Sequence, residues 1–468
     1  MPVHPLTHMS PARQMFPKVL LRTQPAAATL QNSPVQFSPM SRLHFSRSRS
    51  DVRFTHYLFR FPAKFHPPVV RLLLNRYTKL GDLILDPFCG SGTLLVEALT
   101  LGRHAVGVDI DPLATFISRV KATPIDPDKL QSAFSLLSEV IQEIRRPNEQ
   151  YDRFMFDDIS ESTFARSRRT LRIPEIPNIS HWFRRYVIVD LARLKNAILD
   201  APLSSGTRDF FLACFASIIR NASNADPVPV SGLEVTAHMR RLDEEGRKID
   251  PFALFERRVR RQLIGMQQLW DASKDSNITV KRGDATQLRK LIRKREFDAL
   301  ITSPPYNTSV DYYRRHMLEM YWLDLVTSHE ERLELAPRYL GRSNVRTDHP
   351  ALDTTFESSY VNRLIAHAGK ISEARRRTIV HYCASLQSAL SEMSVLLRRG
   401  GVAILVVGNA KWNGRRVWAS RLVIELSRPY FTVKDSYRYA SKNRYMSYSR
   451  HNGANVNWEH VVVLTKRP

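Results

Sequence analysis

A strand, a glycine-rich turn, a helix and a second strand follow one another over residues 82–109, and this succession constrains the fold more than any other feature. Asp82–Asp86 encloses three apolar residues and is typical of a short buried strand. Gly90 and Gly92 lie in the turn, Thr93–Leu101 has the pattern of a helix, and His104–Asp109 predicts the second strand. Such a unit forms a right-handed crossover in a parallel sheet. The sequence therefore predicts an α/β fold with a mostly parallel sheet.

The turn in this unit has the sequence Asp86-Pro87-Phe88-Cys89-Gly90-Ser91-Gly92-Thr93. Its two glycines let the backbone approach a ligand closely, and the helix that follows presents free N–H groups. A phosphate-binding P-loop would need Lys after Gly92, and a dinucleotide fingerprint would need a third glycine at the position of Leu95. The loop therefore matches neither nucleotide-binding motif. Asp109 ends the second strand, where sheets of this kind contact ribose hydroxyls. The loop predicts an adenosine-containing ligand; a tight turn, with Asp109 as a helix cap, is the alternative.

A second motif, Thr302-Ser303-Pro304-Pro305-Tyr306, follows the predicted strand Phe297–Ile301. Consecutive prolines remove two N–H donors and stiffen the backbone. The Ser303 hydroxyl and the Pro304 carbonyl could then accept both hydrogens of an amino group, while Tyr306 offers a face for stacking a flipped base. Because parallel sheets bind ligands at the carboxyl ends of their strands, this motif and the glycine loop are expected to share one edge. A rigid turn is the alternative interpretation.

The chain divides by composition into an arm, a core and an insertion. Residues 1–55 form a predicted basic, disordered arm, because the first fifty contain no acidic residue and several Pro, Ser and Arg. Its prolines disfavour the helix of a transit peptide, and a translation start at Met40 is an alternative. Residues 56–111 and 277–468 supply the predicted core. Residues 112–276 show helical spacing with scattered Arg, which predicts a largely helical insertion.

The charge of the chain indicates a polyanionic partner. Lys and Arg number 70 against 45 Asp and Glu, which gives a formal net charge of +25 at pH 7. Clusters of Arg at 166–172 and 257–261 predict contacts to nucleic-acid phosphates, with solvated helix faces as the alternative.

Other residue types exclude several classes of protein. The three cysteines, Cys89, Cys214 and Cys383, are too far apart for a CxxC metal site and odd in number for a disulfide framework. No histidine pattern of the HExxH kind occurs, so no metal site is expected. Apolar runs are much shorter than the ~20 residues that span a bilayer. We therefore expect a cytoplasmic protein without a membrane partner.

Phe88-Cys89-Gly90-Ser91-Gly92 and Ser303-Pro304-Pro305-Tyr306 together resemble the hallmarks of the DNA amino-methyltransferase family. These are a Phe-x-Gly-x-Gly cofactor motif and an (Asp/Asn/Ser)-Pro-Pro-(Tyr/Phe/Trp) catalytic motif. The resemblance implies a Rossmann-like fold that binds S-adenosylmethionine, with Asp109 at its ribose and Asp284 at its adenine. The residues implied for the cofactor are Asp86, Phe88, Cys89, Gly90, Gly92, Thr93, Asp109, Ile110, Asp284 and Ala285, and those implied for catalysis are Ser303, Pro304, Pro305 and Tyr306. Residues 61–68 resemble the motif at the methionine end.

Ser303 favours cytosine as the substrate base, because Ser at this position is typical of cytosine-N4 enzymes in the family, whereas Asp or Asn is typical of adenine-N6 enzymes. The resemblance implies methyl transfer to N4 of cytosine in a specific sequence of double-stranded DNA, by base flipping and direct displacement. Cytosine-C5 methylation is disfavoured, because no cysteine follows a proline.

Several alternatives remain open at the level of the sequence. Adenine-N6 methylation of DNA and guanine-N2 methylation of transfer RNA are the rival activities. A nucleic-acid-binding protein with a vestigial methyltransferase core is the rival without catalysis. Target recognition is assigned to residues 112–276 from their position and charge alone, and a cognate restriction endonuclease is a candidate partner.

Overall fold

A computed structural model describes residues 41–43, 53–62, 64–227, 232–293, 296–306, 312–341, 345–412, 415–440 and 458–468. The strands are β1 (Ser41–Leu43), β2 (Leu83–Asp86), β3 (His104–Asp109), β4 (Ile278–Arg282), β5 (Phe297–Thr302), β6 (Leu397–Gly408), β7 (Ala410–Trp412), β8 (Arg415–Val417), β9 (Phe431–Ala440) and β10 (Trp458–Lys466).

The helices are α1 (Pro67–Tyr77), α2 (Thr93–Thr100), α3 (Pro112–Lys121), α4 (Pro127–Ile144), α5 (Asn148–Arg153), α6 (Glu161–Thr170), α7 (Ile179–Trp182), α8 (Arg185–Asp200), α9 (Ser205–Ala222), α10 (Ala237–Glu244), α11 (Pro251–Ala272), α12 (Leu288–Leu291), α13 (Tyr312–Arg315), α14 (Met317–Trp322), α15 (His329–Leu335), α16 (Ser359–Gly369), α17 (Glu373–Leu396) and α18 (Ala419–Ser427). Short 3-10 turns lie at Phe54–Tyr57, Ala285–Gln287, Ala336–Arg338 and Pro350–Asp353.

Within the described residues, eight strands form one sheet in the order β1-β9-β10-β6-β5-β2-β3-β4, and β7 pairs with β8. Every pairing in the large sheet is parallel except the two made by β10, which runs antiparallel between β6 and β9. The chain moves outward from β2 to β4 and then returns to place β5 on the other side of β2. This reversal is the switch point at which open α/β sheets bind ligands. The predicted Rossmann-like, mostly parallel sheet is confirmed.

Alternate residues along the strands pack into two cores on opposite faces of the sheet. Ile84 and Ile404 belong to the core covered by α1, α2, α3 and the helices of the insertion. Leu85 and Leu405, their neighbours in sequence, belong to the core covered by α16, α17 and α18. A sheet that is buried on both faces needs apolar side chains at successive positions, which explains the nearly continuous apolar runs of β2 and β6.

Helices α3 to α11 lie between β3 and β4, in the stretch for which the sequence predicts a largely helical insertion. Acidic and serine side chains at Asp126, Ser204 and Asp250 accept N–H groups of the first turns of α4, α9 and α11. Gly265 of α11 allows close contact with the turn before α1, since a Cβ there would lie 2.5 Å from the carbonyl oxygen of Phe54. The insertion is therefore packed directly on the core.

The chain after the catalytic motif is helical but not continuous. Two short helices, α13 and α14, are separated at His316, and residues 310 and 311 lie outside the described residues. In the described part of the chain, no helix combines the length and apolar character needed to cross a bilayer.

Candidate functional site

A cavity of about 660 Å³ lies at the carboxyl ends of β2, β3, β4 and β5. The loops that follow these four strands contribute to its wall, together with the segment before α1, the segment around Tyr339 and part of α17. Most of the residues that the sequence predicts for the site line this cavity, namely Asp86, Phe88, Cys89, Gly90, Thr93, Asp109, Ile110, Asp284, Ala285, Ser303 and Pro305. Gly92, Pro304 and Tyr306 do not contribute to the lining of this cavity.

The glycine loop is held in a left-handed backbone conformation that favours glycine. Gly90 has φ +49° and Gly92 has φ +74°. Gly92 packs against α3, where an added Cβ would lie 2.6 Å from the Cβ of Ser118. The Gly90 N–H donates to Oδ2 of Asp109 at 2.8 Å. The loop is thus fixed between α3 and the end of β3, and Gly92 supports it from behind.

Asp86 and Asp109, of which the first is buried and the second partly buried, lie at the ends of adjacent strands. Burial raises the pKa of each to about 7, with the charge of Asp111 adding to the effect at Asp109 and hydrogen bonds opposing it at both. The Thr302 hydroxyl donates to Asp86 at 2.7 Å and so ties the strand of the glycine loop to the strand of the catalytic motif. Neutral pH therefore lies within the titration range of the Asp109 carboxyl.

The polar groups of the glycine loop fit a ligand with an adenosyl and an amino-acid end. The hydroxyls of Ser91 and Thr93 are buried at the cavity and have no hydrogen-bond partner in the described part of the chain. Lys64 also lines the cavity; its ammonium donates to the carbonyl of His56 at 2.9 Å, and burial lowers its pKa to about 8. Buried donors without partners are costly, so a polar ligand at this loop would satisfy them.

The opposite end of the cavity is formed by the loops after β3 and β4. Asp284 caps the turn after β4 by accepting both the N–H and the hydroxyl of Thr286 at 2.8 Å through Oδ1. Asp111 caps α3 and accepts the Tyr339 hydroxyl at 3.0 Å. This bond fixes the segment around Tyr339, for which the sequence predicts no structure, over the cavity.

The catalytic motif is held by contacts to β6 and α17. The Ser303 hydroxyl donates to the carbonyl of Val406 at 3.0 Å. The carbonyl of Pro305 accepts the hydroxyl of Tyr382, on α17, at 3.1 Å. Tyr306 is partly buried and packs against the apolar core on the α17 side of the sheet, and burial raises the pKa of its phenol.

Sequence reasoning missed Tyr312, Tyr339, Tyr382 and His381, although all four lie at or beside the cavity. Only Tyr312 had a signal, because it closely follows the catalytic motif. The others reach the site from distant parts of the chain. Among the described residues, no cluster of His, Cys, Asp and Glu could hold a metal ion.

Comparison with known proteins agrees with this site. A family model described as DNA methylase, of the N6/N4 type, matches residues 23–118, which contain the glycine loop and Asp109. The type II methyltransferase M.MvaI of Kocuria varians is 27% identical over 432 residues, 88% of this chain and 89% of the relative. The type II methyltransferase M.MjaII of Methanocaldococcus jannaschii is 22% identical over 62% of this chain and 65% of the relative. The chain is therefore similar to DNA amino-methyltransferases.

A shorter similarity connects this chain with an RNA enzyme. The tRNA (guanine(10)-N2)-dimethyltransferase of Methanothermobacter thermautotrophicus is 41% identical over 73 residues, which are 15% of this chain and 20% of the relative. The similarity to M.MvaI, in contrast, extends over 88% of the chain and so includes parts of both the core and the insertion.

Proposed function

We propose that this protein transfers the methyl group of S-adenosylmethionine to N4 of cytosine in a specific sequence of double-stranded DNA. The observation that carries this proposal is the hydrogen bonding of Ser303 at the cavity. Its proton is directed to the carbonyl oxygen of Val406. A hydroxyl oxygen has two lone pairs, which can accept a hydrogen from an amino group. The Ser303 hydroxyl can therefore accept a hydrogen bond from an exocyclic amino group.

The residues expected to hold the cofactor are those of the glycine loop and of the neighbouring strand ends. Asp109 would accept the ribose hydroxyls, Asp284 and Ala285 would contact the adenine, and Ser91 and Thr93 would satisfy their hydroxyls on the ligand. When bound, S-adenosylmethionine supplies an electrophilic methyl group on a positively charged sulfur. Ser303 and the carbonyl of Pro304 would orient the amino nitrogen toward that group and require no nucleophilic side chain.

Double-stranded DNA is the proposed substrate because of the charge of the chain and the names of its relatives. Two relatives over most of the core are type II methyltransferases. The helices of the insertion carry exposed arginines, among them Arg257 and Arg261 one turn apart on α11. We assign phosphate contacts and target recognition to this insertion, with a cognate restriction endonuclease as the expected functional partner.

Guanine-N2 methylation of transfer RNA is the second candidate, favoured by the local similarity to the archaeal RNA enzyme. That similarity covers 15% of this chain, whereas the similarity to M.MvaI covers 88%. The similarity to the RNA enzyme therefore covers much less of the chain than the similarity to the DNA enzyme.

The proposal is tested by incubating the purified protein and labelled S-adenosylmethionine with unmethylated DNA or with transfer RNA, followed by chromatography of the nucleosides. We expect labelled N4-methylcytosine from DNA alone. N6-methyladenine without N4-methylcytosine would contradict the base assignment, and N2-methylguanine from transfer RNA would contradict the substrate class. Absence of transfer together with absence of cofactor binding in calorimetry would favour a vestigial core. Single-molecule sequencing of DNA from an expressing host would identify the recognition sequence.

Ser303→Ala separates the amino-group contact from cofactor binding. We expect the variant to bind S-adenosylmethionine like the wild type, because Ser303 is not part of the glycine loop, and to turn over at least about tenfold more slowly. Undiminished turnover would refute the role of this hydroxyl.

A further inference from the structure

Lys121, the last residue of α3, is a fully buried lysine whose ammonium contacts the glycine loop. The residue has 0% of its surface exposed, and its ammonium donates to the carbonyl of Ser91 at 2.5 Å. The Gly92 N–H donates to the carbonyl of Cys89 at 2.8 Å, so both polar groups of the Ser91–Gly92 peptide bond are engaged within the protein. Ser91 lines the cavity, whereas Lys121 does not. The ammonium therefore contacts the wall of the cavity from the protein interior.

The charge of Lys121 is not balanced by a carboxylate within the described part of the chain. Lys195, on α8, is also buried, but it contacts Asp324 at 2.6 Å. Burial and the charge of Lys64 lower the pKa of Lys121 well below its ordinary value, and no described carboxylate opposes this effect. A buried cation without an anion is costly. An anion that binds at the glycine loop would therefore be stabilised by Lys121.

A second ammonium reaches the same end of the cavity from the segment before α1. Lys64 lines the cavity, and its ammonium donates to the carbonyl of His56 at 2.9 Å. The hydroxyl of Thr55, the preceding residue, donates to the carbonyl of Lys121 at 2.6 Å, so one turn contacts both lysines. The Glu97 carboxylate, which His56 contacts at 2.8 Å, is already paired with an arginine of α1. Two ammonium groups thus lie at or directly behind this end of the cavity.

The chemistry of this end fits the amino-acid portion of the expected cofactor. S-adenosylmethionine carries its one carboxylate on that portion, away from the adenine, and the adenine and ribose are expected at the ends of β4 and β3. The hydroxyls of Ser91 and Thr93 line the cavity here, are buried, and have no partner among the described residues. A carboxylate at this place would accept hydrogen bonds from these hydroxyls and would interact with both ammonium groups.

We propose that Lys121 is a positioning residue for the cofactor: its ammonium, held behind the glycine loop by the Ser91 carbonyl, supplies buried positive charge for the carboxylate of S-adenosylmethionine. This inference rests on the proposed function, because it concerns the cofactor of that reaction. Lys121 belongs to neither sequence motif, and it lies beyond residue 118, where the match to the DNA methylase model ends.

The proposal is tested with two ligands that differ only in the carboxylate, S-adenosylmethionine and decarboxylated S-adenosylmethionine. Lys121→Met removes the charge but keeps an unbranched side chain. We expect this variant to raise the Kd of S-adenosylmethionine at least about tenfold, because the attraction to the carboxylate is lost. The Kd of the decarboxylated ligand should rise by less than about twofold, since that ligand has no carboxylate to lose. Calorimetry measures both constants.

Two further variants separate the charge from folding and from hydrogen bonding. Lys195→Met is the matched control, because it removes a buried lysine that does not line the cavity, and it should keep the wild-type Kd for both ligands. Lys121→Gln keeps a neutral donor for the Ser91 carbonyl and should show the same selective loss as Lys121→Met. The melting temperature of each variant shows whether it is folded.

Three results would overturn the inference and leave the proposed function intact. These are an equal loss of affinity for both ligands in the Lys121 variants, wild-type affinity for S-adenosylmethionine in Lys121→Gln, and equal affinity of the wild-type protein for the two ligands. A wild-type protein that binds no S-adenosylmethionine would overturn the inference and the proposed function together.

Discussion

Asp109 is partly buried at the end of β3, and desolvation raises the pKa of its carboxyl to about 7, so cofactor binding is expected to depend on pH. Only the ionised form can accept hydrogen bonds from both ribose hydroxyls. With a pKa of about 7, we expect the affinity for S-adenosylmethionine to fall about tenfold from pH 8 to pH 6 as the carboxyl is protonated. Isothermal calorimetry at both pH values measures this change.

Asp109→Asn is the control for that measurement, because any titration of the ligand itself persists in the variant. The variant should bind more weakly at pH 8 and show less dependence on pH than the wild type. Equal affinities of the wild type at pH 6 and pH 8 would exclude Asp109 as the titrating group.

The Tyr382 hydroxyl positions the catalytic motif through its hydrogen bond to the carbonyl of Pro305. Tyr382→Phe removes this bond, and the loss of a neutral hydrogen bond of about 1 kcal/mol predicts a roughly fivefold lower kcat. KM for S-adenosylmethionine should not change, because Tyr382 does not line the cofactor end. Tyr430→Phe, in the same apolar cluster but in the turn before β9, is the matched control and should keep wild-type kcat. Equal kcat values for the two variants would argue against positioning by Tyr382.

At the scale of elements, a buried ionic contact joins α1, α2 and the turn before α1. Arg71 of α1 contacts Glu97 of α2 at 2.7 Å, and His56 contacts the same carboxyl at 2.8 Å. Burial lowers the pKa of His56 to about 4, so Arg71 supplies the positive charge at neutral pH. Arg71→Met would leave a buried carboxylate without a cation, and we expect it to lower the free energy of unfolding by about 3 kcal/mol in urea denaturation.

The matched control for this contact is Arg119→Met. Arg119 contacts Asp209 at 3.2 Å with 55% and 32% of the two side chains exposed. Exposed pairs contribute at most about 1 kcal/mol, so the midpoint of unfolding should barely change. Similar losses in the two variants would show that burial does not govern the α1–α2 contact.

The elements near the glycine loop were predictable from sequence, whereas α17 was not. His104–Asp109 was predicted with the bounds of β3, because a buried parallel strand is a short apolar run between a glycine and an acid. Helix α17 buries polar side chains such as His381 and Glu392 beside apolar ones, so its helical periodicity is weak. The antiparallel place of β10 could not be predicted either, because strand order depends on contacts between distant segments.

The residues of the candidate site also divide into those that the sequence predicts and those that it does not. Asp109 ends β3, and Asp284 and Ser303 lie just after the ends of β4 and β5. Strand ends in a parallel sheet meet at one edge, so the shared cavity of these residues follows from local patterns. Tyr339 and Tyr382 reach the site through single hydrogen bonds to residues far away in sequence. No local pattern encodes such contacts, which depend on the packing of the finished fold.

For the whole molecule, the net charge of +25 predicts DNA affinity that falls steeply with salt. Arg257 and Arg261 are exposed on α11, and replacing both by Gln should reduce the slope of log K against log salt by about 1.8, or about 0.9 for each lost phosphate contact. Fluorescence anisotropy at several salt concentrations measures this slope. Arg376→Gln, which removes an arginine paired with Glu373 on α17, should leave it unchanged. A slope in the double variant equal to that of the wild type would show that these two arginines do not contact phosphates.

Strand β5 carries the catalytic motif but lies between β2 and β6, and β6 is itself held by β10, the last strand in chain order. During translation, the glycine loop and the basic insertion leave the ribosome well before the strands that keep Ser303 in register. A nascent chain at that stage can attract DNA through its charge but has no assembled clamp for an amino group. Methylation is therefore expected only after synthesis has passed β10, so unfinished chains should not modify DNA.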